Sequence, residues 1–180
     1  MGVSCGQWYF AANTKDMNNK IQVSLVPIDK ADMEHFVSLA FEGDDKLLEQ
    51  YHVSPGTLEH CVQHTMGFIE ENVNHYKEDI KFFAVIVGEA EVGYTIIIEN
   101  ENLPNELYSF GINKKYRSEE VKTEWLKKLT DIFKTPYYIV LWSKNSRAIN
   151  FFERNGFVVD RTNKLLTDET KTLIICRPVG

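Results

Sequence analysis

Apolar positions along the chain alternate between two periods, and each change of period marks an element. From Ile21 to Ile28 they fall at every second residue, which predicts a strand ended by Pro27. Met33, Phe36, Val37, Ala40 and Phe41 then recur at three- and four-residue spacing, a helical stripe that stops at the Gly43-Asp44-Asp45 break. Ser54-Pro55 supplies an N-cap with proline at the first helical position. Leu58, Val62, Met66, Ile69, Val73 and Tyr76 continue the stripe of a second and longest helix. Two β-rich runs, Phe82 to Val87 and Val92 to Ile98, flank Gly88-Glu89-Ala90-Glu91 and predict an antiparallel hairpin. After an acidic loop, Leu107 to Ile112 reads as a further strand. Ser118 caps a helix whose inward face is Val121, Trp125, Leu129 and Ile132, and the strand Tyr137 to Trp142 follows. Ser146 to Asn155 is a short helix halted at Gly156, where a left-handed cap favours glycine. Strands from Phe157 and from Thr172 complete the order β-α-α-β-β-β-α-β-α-β-β, a mixed α/β sheet.

No repeat, low-complexity tract or linker interrupts this order, so 180 residues read as one domain over 20–180 behind a leader of residues 1–19. Trp8-Tyr9-Phe10 in that leader would pack on the domain, on a second copy or on a partner protein. No apolar run approaches the ~20 residues of a membrane span, and no basic-then-apolar start marks export, which predicts a cytoplasmic protein with no membrane partner. Cys5, Cys61 and Cys176 are few, odd in number and widely spaced, which argues against a disulfide framework or a zinc site; no metal is expected. The formal charge of −6 disfavours nucleic acid as a partner. Lys114, Lys115, Arg117, Lys122, Lys127 and Lys128 form a local basic cluster, either an anion site or the solvated face of a helix.

Three stretches carry a family resemblance: Gly88 with Val92-Gly93-Tyr94; Leu107 to Ile112 followed by Lys115-Tyr116-Arg117; and Asn145-Ser146-Arg147-Ala148 with Phe151-Phe152 and Gly156-Phe157. They resemble the GCN5-related N-acetyltransferases (GNAT), over a span from about Ile21 to the C-terminus. The resemblance implies that fold, acetyl-CoA as cofactor and a small amine as acceptor. It carries pantetheine contacts to the backbone amides of Phe110, Gly111 and Ile112. Diphosphate contacts fall to Arg117, Ser118, Lys122 and Thr123, and further cofactor contacts to Asn145 and Phe152. It makes Glu106, at the start of the fourth strand, the base that deprotonates the amine, and Tyr108 a substitute acid. The strand wording and the ending Glu153-Arg154-Asn155-Gly156 also resemble GNAT-like proteins of bacteriophages, which implies a virion or phage-accessory setting.

The diphosphate loop departs from the family pattern of Arg or Gln, two residues, Gly, one residue, then Gly or Ala. Here that register reads Arg117-Ser118-Glu119-Glu120-Val121-Lys122, so both small positions are lost. A helix N-terminus binds an anion through exposed N–H groups, and glycine admits the phosphate to them. Glu120 instead adds bulk and like charge, worth between ~1 and ~4 kcal/mol at close approach depending on the local dielectric. Where many members place a tyrosine acid, this chain has Phe152, which has no proton to give. The sequence therefore predicts a GNAT-fold protein with weakened or lost acetyl transfer, used as a binding or assembly module. The alternative is a working N-acetyltransferase that holds acetyl-CoA through Arg117, Lys122 and backbone amides.

Overall fold

The computed structural model describes residues 21–44, 57–76, 80–99, 104–133, 137–142, 145–160 and 171–176. In chain order its elements are β1 (Val23–Ile28), α1 (Met33–Phe41), α2 (Leu58–Tyr76), β2 (Ile80–Val87), β3 (Ala90–Ile98) and β4 (Asn105–Ile112). The second half holds α3 (Glu119–Phe133), β5 (Tyr137–Trp142), α4 (Ser146–Arg154), β6 (Val158–Asp160) and β7 (Lys171–Cys176). The strands form one mixed sheet in the order β1-β2-β3-β4-β5-β7-β6. The leader, with Trp8, Tyr9 and Phe10, lies outside the described residues, as does the Ser54-Pro55 cap.

Local chemistry explains where elements begin and end, and corrects three expectations. Pro27 does not end β1 but lies within it, opposite Phe83. Among the described strands β1 is outermost and pairs with β2 alone, and an edge position tolerates a residue that has no N–H to donate. The hairpin turn is shorter than expected: Gly88 adopts φ +63°, and Ala90 and Glu91 already belong to β3. On α3, Ile132 is 39% exposed, whereas Phe133 is buried. Val121, Trp125, Leu129 and Phe133 form a row at four-residue spacing, and Phe133 stacks on Tyr137 with centroids 4.7 Å apart.

Two cores cover the two sheet faces. One unites Val85, Ile97, Leu107 and Ile112 with Trp125 and Leu129 of α3 and Phe151 and Phe152 of α4. The other packs Ala84, Tyr94 and Ile96 against Met33, Phe36 and Val37 of α1 and Val62 and Ile69 of α2. Within the first core the Trp125 indole N–H donates to Thr95 Oγ1 at 3.0 Å, satisfying two buried polar groups at once. Thr95 is the cross-strand partner of Phe110, whose ring lies 4.8 Å from Trp125. Helix α3 thus fixes the middle of β4 from one face of the sheet.

The sheet is interrupted between β4 and β5. Along β3, β4 pairs from Glu106 to Ile112, with a shift at which Ser109 faces Ile96, Leu107 faces Ile97, and Tyr108 is the extra residue of a bulge. Toward β5, among the described residues, it pairs through Asn105 with Tyr137 and Glu106 with Tyr138 and no further. Beyond these two positions β5 continues against β7, and the two parallel strands part.

Candidate functional site

The parting strands leave a V-shaped gap whose one wall is the unpaired edge of β4. Backbone polar groups of successive strand residues point to opposite edges, so the bond from the Asn113 N–H to the Val92 carbonyl, 2.7 Å long, sets the alternation. Gly111 then faces β3, and the N–H groups of Phe110 and Ile112 face the gap. Gly93 fits this geometry, because a Cβ there would overlap the Gly111 carbonyl oxygen. A Cβ on Gly111 itself would come within 2.8 Å of Ala40 Cβ and 2.9 Å of the Tyr94 ring. The three amides expected to contact pantetheine are therefore divided: two open on the gap, and Gly111 seats β4 against β3 and α1.

At the narrow end of the gap stands Glu106. The Tyr138 hydroxyl, from the first turn of pleat on β5, donates to its Oε2 at 2.9 Å. Burial pushes the Glu106 carboxyl up from its ordinary value, and the Tyr138 hydrogen bond offsets part of that rise. A carboxylate so placed is a better proton acceptor than one in water. Tyr108 sits on the opposite sheet face from Leu107, its ring stacked on Phe68 of α2 at 5.6 Å.

At the wide end, residues 113–118 turn into α3. Asn113 holds this turn to α1, its side-chain amide donating to the Leu39 carbonyl at 2.7 Å and its Oδ1 accepting from the Lys115 N–H at 2.9 Å. Ser118 Oγ accepts from the Val121 N–H at 3.2 Å, so the helix cap is supplied by the chain itself. Glu119 and Glu120 carry the remaining N–H groups of the first turn, and both are exposed. The cations are committed elsewhere: Arg117 pairs with Asp44, which is 3% exposed, and Lys122 pairs with Glu119. Lys122 also lies over the Phe151 ring, 4.8 Å from its centroid. Its hydrogen bond, with Arg154 and Arg147 nearby, holds the Glu119 carboxyl below its ordinary value. Thr123 Oγ1 donates back to the Glu119 carbonyl at 2.8 Å.

Solved structures share this architecture. An acetyltransferase from Thermus thermophilus matches with a TM-score of 0.66 at 16% identity, over 87% of this chain and 97% of its own. The PaiA N-acetyltransferase of Thermoplasma acidophilum, solved with coenzyme A, gives 0.63 at 16% identity over 87% and 99%. A probable GNAT-family acetyltransferase from Chromobacterium violaceum gives 0.61 at 14% identity over 97% and 94%. The chain has the GNAT acetyltransferase fold. The sequence itself matches no family model and no curated protein.

Within this GNAT fold the last sequence motif serves packing. Asn145 caps α4, its Oδ1 accepting from the Ala148 N–H at 3.2 Å. Phe152 is fully buried, edge-on to Phe110, Phe151 and Phe157 with centroids 5.0 to 5.9 Å away. Of the acidic loop, Glu99 pairs with Lys81, and Glu101 lies outside the described residues. Among the described residues no group of His, Cys, Asp and Glu is arranged to hold a metal ion, and no helix is long and apolar enough to cross a membrane. Sequence reasoning passed over Tyr138, Asn113 and Asp44. In the sequence pattern Asp44 is part of the break after the first helical stripe and Tyr138 one residue of a strand, and neither stands out.

Proposed function

We propose that this chain is a weakened acyl-CoA-dependent N-acyltransferase, in which the pantetheine slot and the base are kept and the diphosphate seat is impaired. The observation that carries it is the juxtaposition of Glu106, half-buried and made more basic by its surroundings, with the unpaired edge of β4. An acyl-pantetheine thioester laid along that edge would complete the interrupted sheet by accepting from the Phe110 and Ile112 N–H groups. A protonated amine entering at the narrow end would lose a proton to Glu106 and attack the thioester carbon. The tetrahedral adduct would then expel the thiolate. The adduct gives up its second nitrogen proton to solvent as the thiolate leaves, and because Phe152 offers no proton to that leaving group, solvent must also supply the proton it takes up, which is one reason for slow turnover. Arg117, Ser118, Lys122 and Thr123 would meet the diphosphate, but their polar groups already have partners, and two carboxylates stand at the helix end.

Titration calorimetry with acetyl-CoA and with acetyl-pantetheine tests this reading. With the diphosphate seat impaired, both ligands bind, and acetyl-CoA binds no more than about tenfold tighter, a difference of ~1.4 kcal/mol. Acetyl-CoA binding hundreds of times tighter would restore an intact diphosphate seat and overturn the impairment. A second reading, a non-catalytic module for protein binding or assembly, is favoured by the pairing of Arg117 with Asp44 and Lys122 with Glu119. It suits the phage-accessory or virion setting, and the leader with Trp8, Tyr9 and Phe10 would be its contact arm. No heat from either ligand at millimolar concentration would select it.

A further inference from the structure

We propose that Tyr138 is a positioning residue that clamps the Glu106 carboxylate at the narrow end of the gap, holding Oε2 and leaving Oε1 to receive the proton of an incoming ammonium group. This deepens the reading of Glu106 as base and rests on it for its purpose, though the clamp itself is a claim about two side chains.

The geometry points to this in three ways. Tyr138 is the last β5 residue paired with β4, so its backbone is fixed by the sheet at the point where the strands part. Its neighbour Tyr137 turns into the α3 core, fully buried and stacked on Phe133, and strand alternation sends Tyr138 to the other face, where Glu106 lies. The pair is joined by the 2.9 Å hydrogen bond, and Oε1 of Glu106 has no hydrogen-bond or ion-pair partner among the described residues. On the packed strands the titratable neighbours are Tyr138 on β5, Tyr108 on β4 and, one residue beyond its β3 partner Ile98, Glu99, which is paired with Lys81 of β2. Among the described residues, burial and the Tyr138 hydrogen bond are what act on the Glu106 carboxyl, in that order.

The chemistry is a single proton transfer. The ammonium nitrogen loses a proton to Oε1, leaving a neutral amine and a carboxylic acid, while the Tyr138 hydroxyl keeps its own proton throughout. A hydrogen bond that the phenol gives to the ionised form is stronger than one it gives to the acid. Tyr138 therefore keeps the carboxylate ionised at a pH where burial alone would leave it protonated. It also restricts the carboxylate to one orientation, so that the free oxygen is presented to the gap.

The test follows the Glu106 side-chain carboxyl carbon by NMR in the full-length chain labelled at glutamate, its resonance assigned by its loss in Glu106→Gln. In Tyr138→Phe the titration midpoint of Glu106 is expected to rise by about one pH unit, the scale of one hydrogen bond to a charged group. An unchanged or lowered midpoint in a folded variant overturns the clamp. Should Tyr138→Phe not fold, the wild-type chain labelled at the tyrosine Cζ gives the answer. The Tyr138 Cζ resonance then moves with the Glu106 titration and stays still over that range in Glu106→Gln; a Tyr138 resonance indifferent to Glu106 sinks the proposal. Neither readout needs a cofactor. Failure to bind acetyl-CoA would remove the proposed activity and leave this coupling standing, whereas loss of the coupling would remove the clamp and leave thioester binding untouched.

Discussion

Glu106 places the proposed proton acceptor and a charge disfavoured by burial on the same atoms. Its folded-state value lies above the ordinary one because burial disfavours the charged form. The folded chain thus holds its proton more tightly than the unfolded chain does between the two values. Its contribution to stability is greatest below the unfolded value and falls as pH rises through the folded one. Above the folded value the carboxylate is ionised at a net cost, which Glu106→Gln removes while keeping an acceptor for the Tyr138 hydroxyl. At alkaline pH the variant is expected to melt above the wild-type chain, by ~2–4 °C for each kcal/mol of that cost in a domain of this size. The advantage should fade as pH falls through the folded value into the ordinary carboxylate range, and the proposed acetyl transfer should be lost at every pH. Equal melting temperatures across that range would show that Glu106 is ionised without cost. The position of Glu106 was legible from its place before a β-rich run that resembles the family's fourth strand. Its partner was not, because Tyr138 is 32 residues away and reaches it only through strand pairing. The same is true of Asp44 and Arg117, 73 residues apart. The Ser118 cap was legible, because it bonds an N–H three residues on, within the range that local sequence controls; the Asn145 bond to the Ala148 N–H has the same span.

At the scale of elements, the start of α3 is where the fold and the cofactor chemistry diverge. Glu119 and Glu120 stabilise the first turn by facing the positive end of the helix dipole, and Ser118 caps it. The better that end is satisfied by the chain, the less it offers a diphosphate. Glu120→Gly with Lys122→Gly returns small residues to both positions of the loop, at a cost of ~1 kcal/mol per glycine to the helix. It is expected to tighten acetyl-CoA by roughly ten- to a thousandfold and to leave acetyl-pantetheine unchanged, as calorimetry would read. Unchanged affinity for acetyl-CoA would place the fault with the Arg117 to Asp44 pairing or elsewhere. The elements themselves were legible because hydrophobic period separates strands from helices. What the pattern missed follows from what it measures. Alternation does not report which edge a strand occupies, so Pro27 was read as a terminator. It also misses a bulge, such as Tyr108 on β4. Nor does it show that β4 and β5 pair at two described positions and then part, the gap on which the proposed function rests.

The whole molecule carries a formal charge of −6, and under the proposed function its site would receive an anionic cofactor and a cationic acceptor. A cofactor seat with unpaired cations draws in coenzyme A at low ionic strength and loses affinity as salt screens the attraction. Here the two nearest cations are neutralised by Asp44 and Glu119, and Lys114 and Lys115 remain exposed beside them. With the local field so reduced and the surrounding charge negative, raising the salt from about 0.05 M to about 0.5 M screens as much repulsion as attraction. The dissociation constant of acetyl-CoA is therefore expected to change by less than about threefold over that range, or to fall. A cationic amine meets the opposite field, because the same net charge attracts it, and its apparent affinity should weaken over the same range. Opposite salt dependences for the two ligands would locate the defect in the diphosphate seat and leave the acceptor side intact. Acetyl-CoA that weakens tenfold or more with salt would mean that Arg117 and Lys122 leave their carboxylates to hold the diphosphate, and the loop would then be a working one.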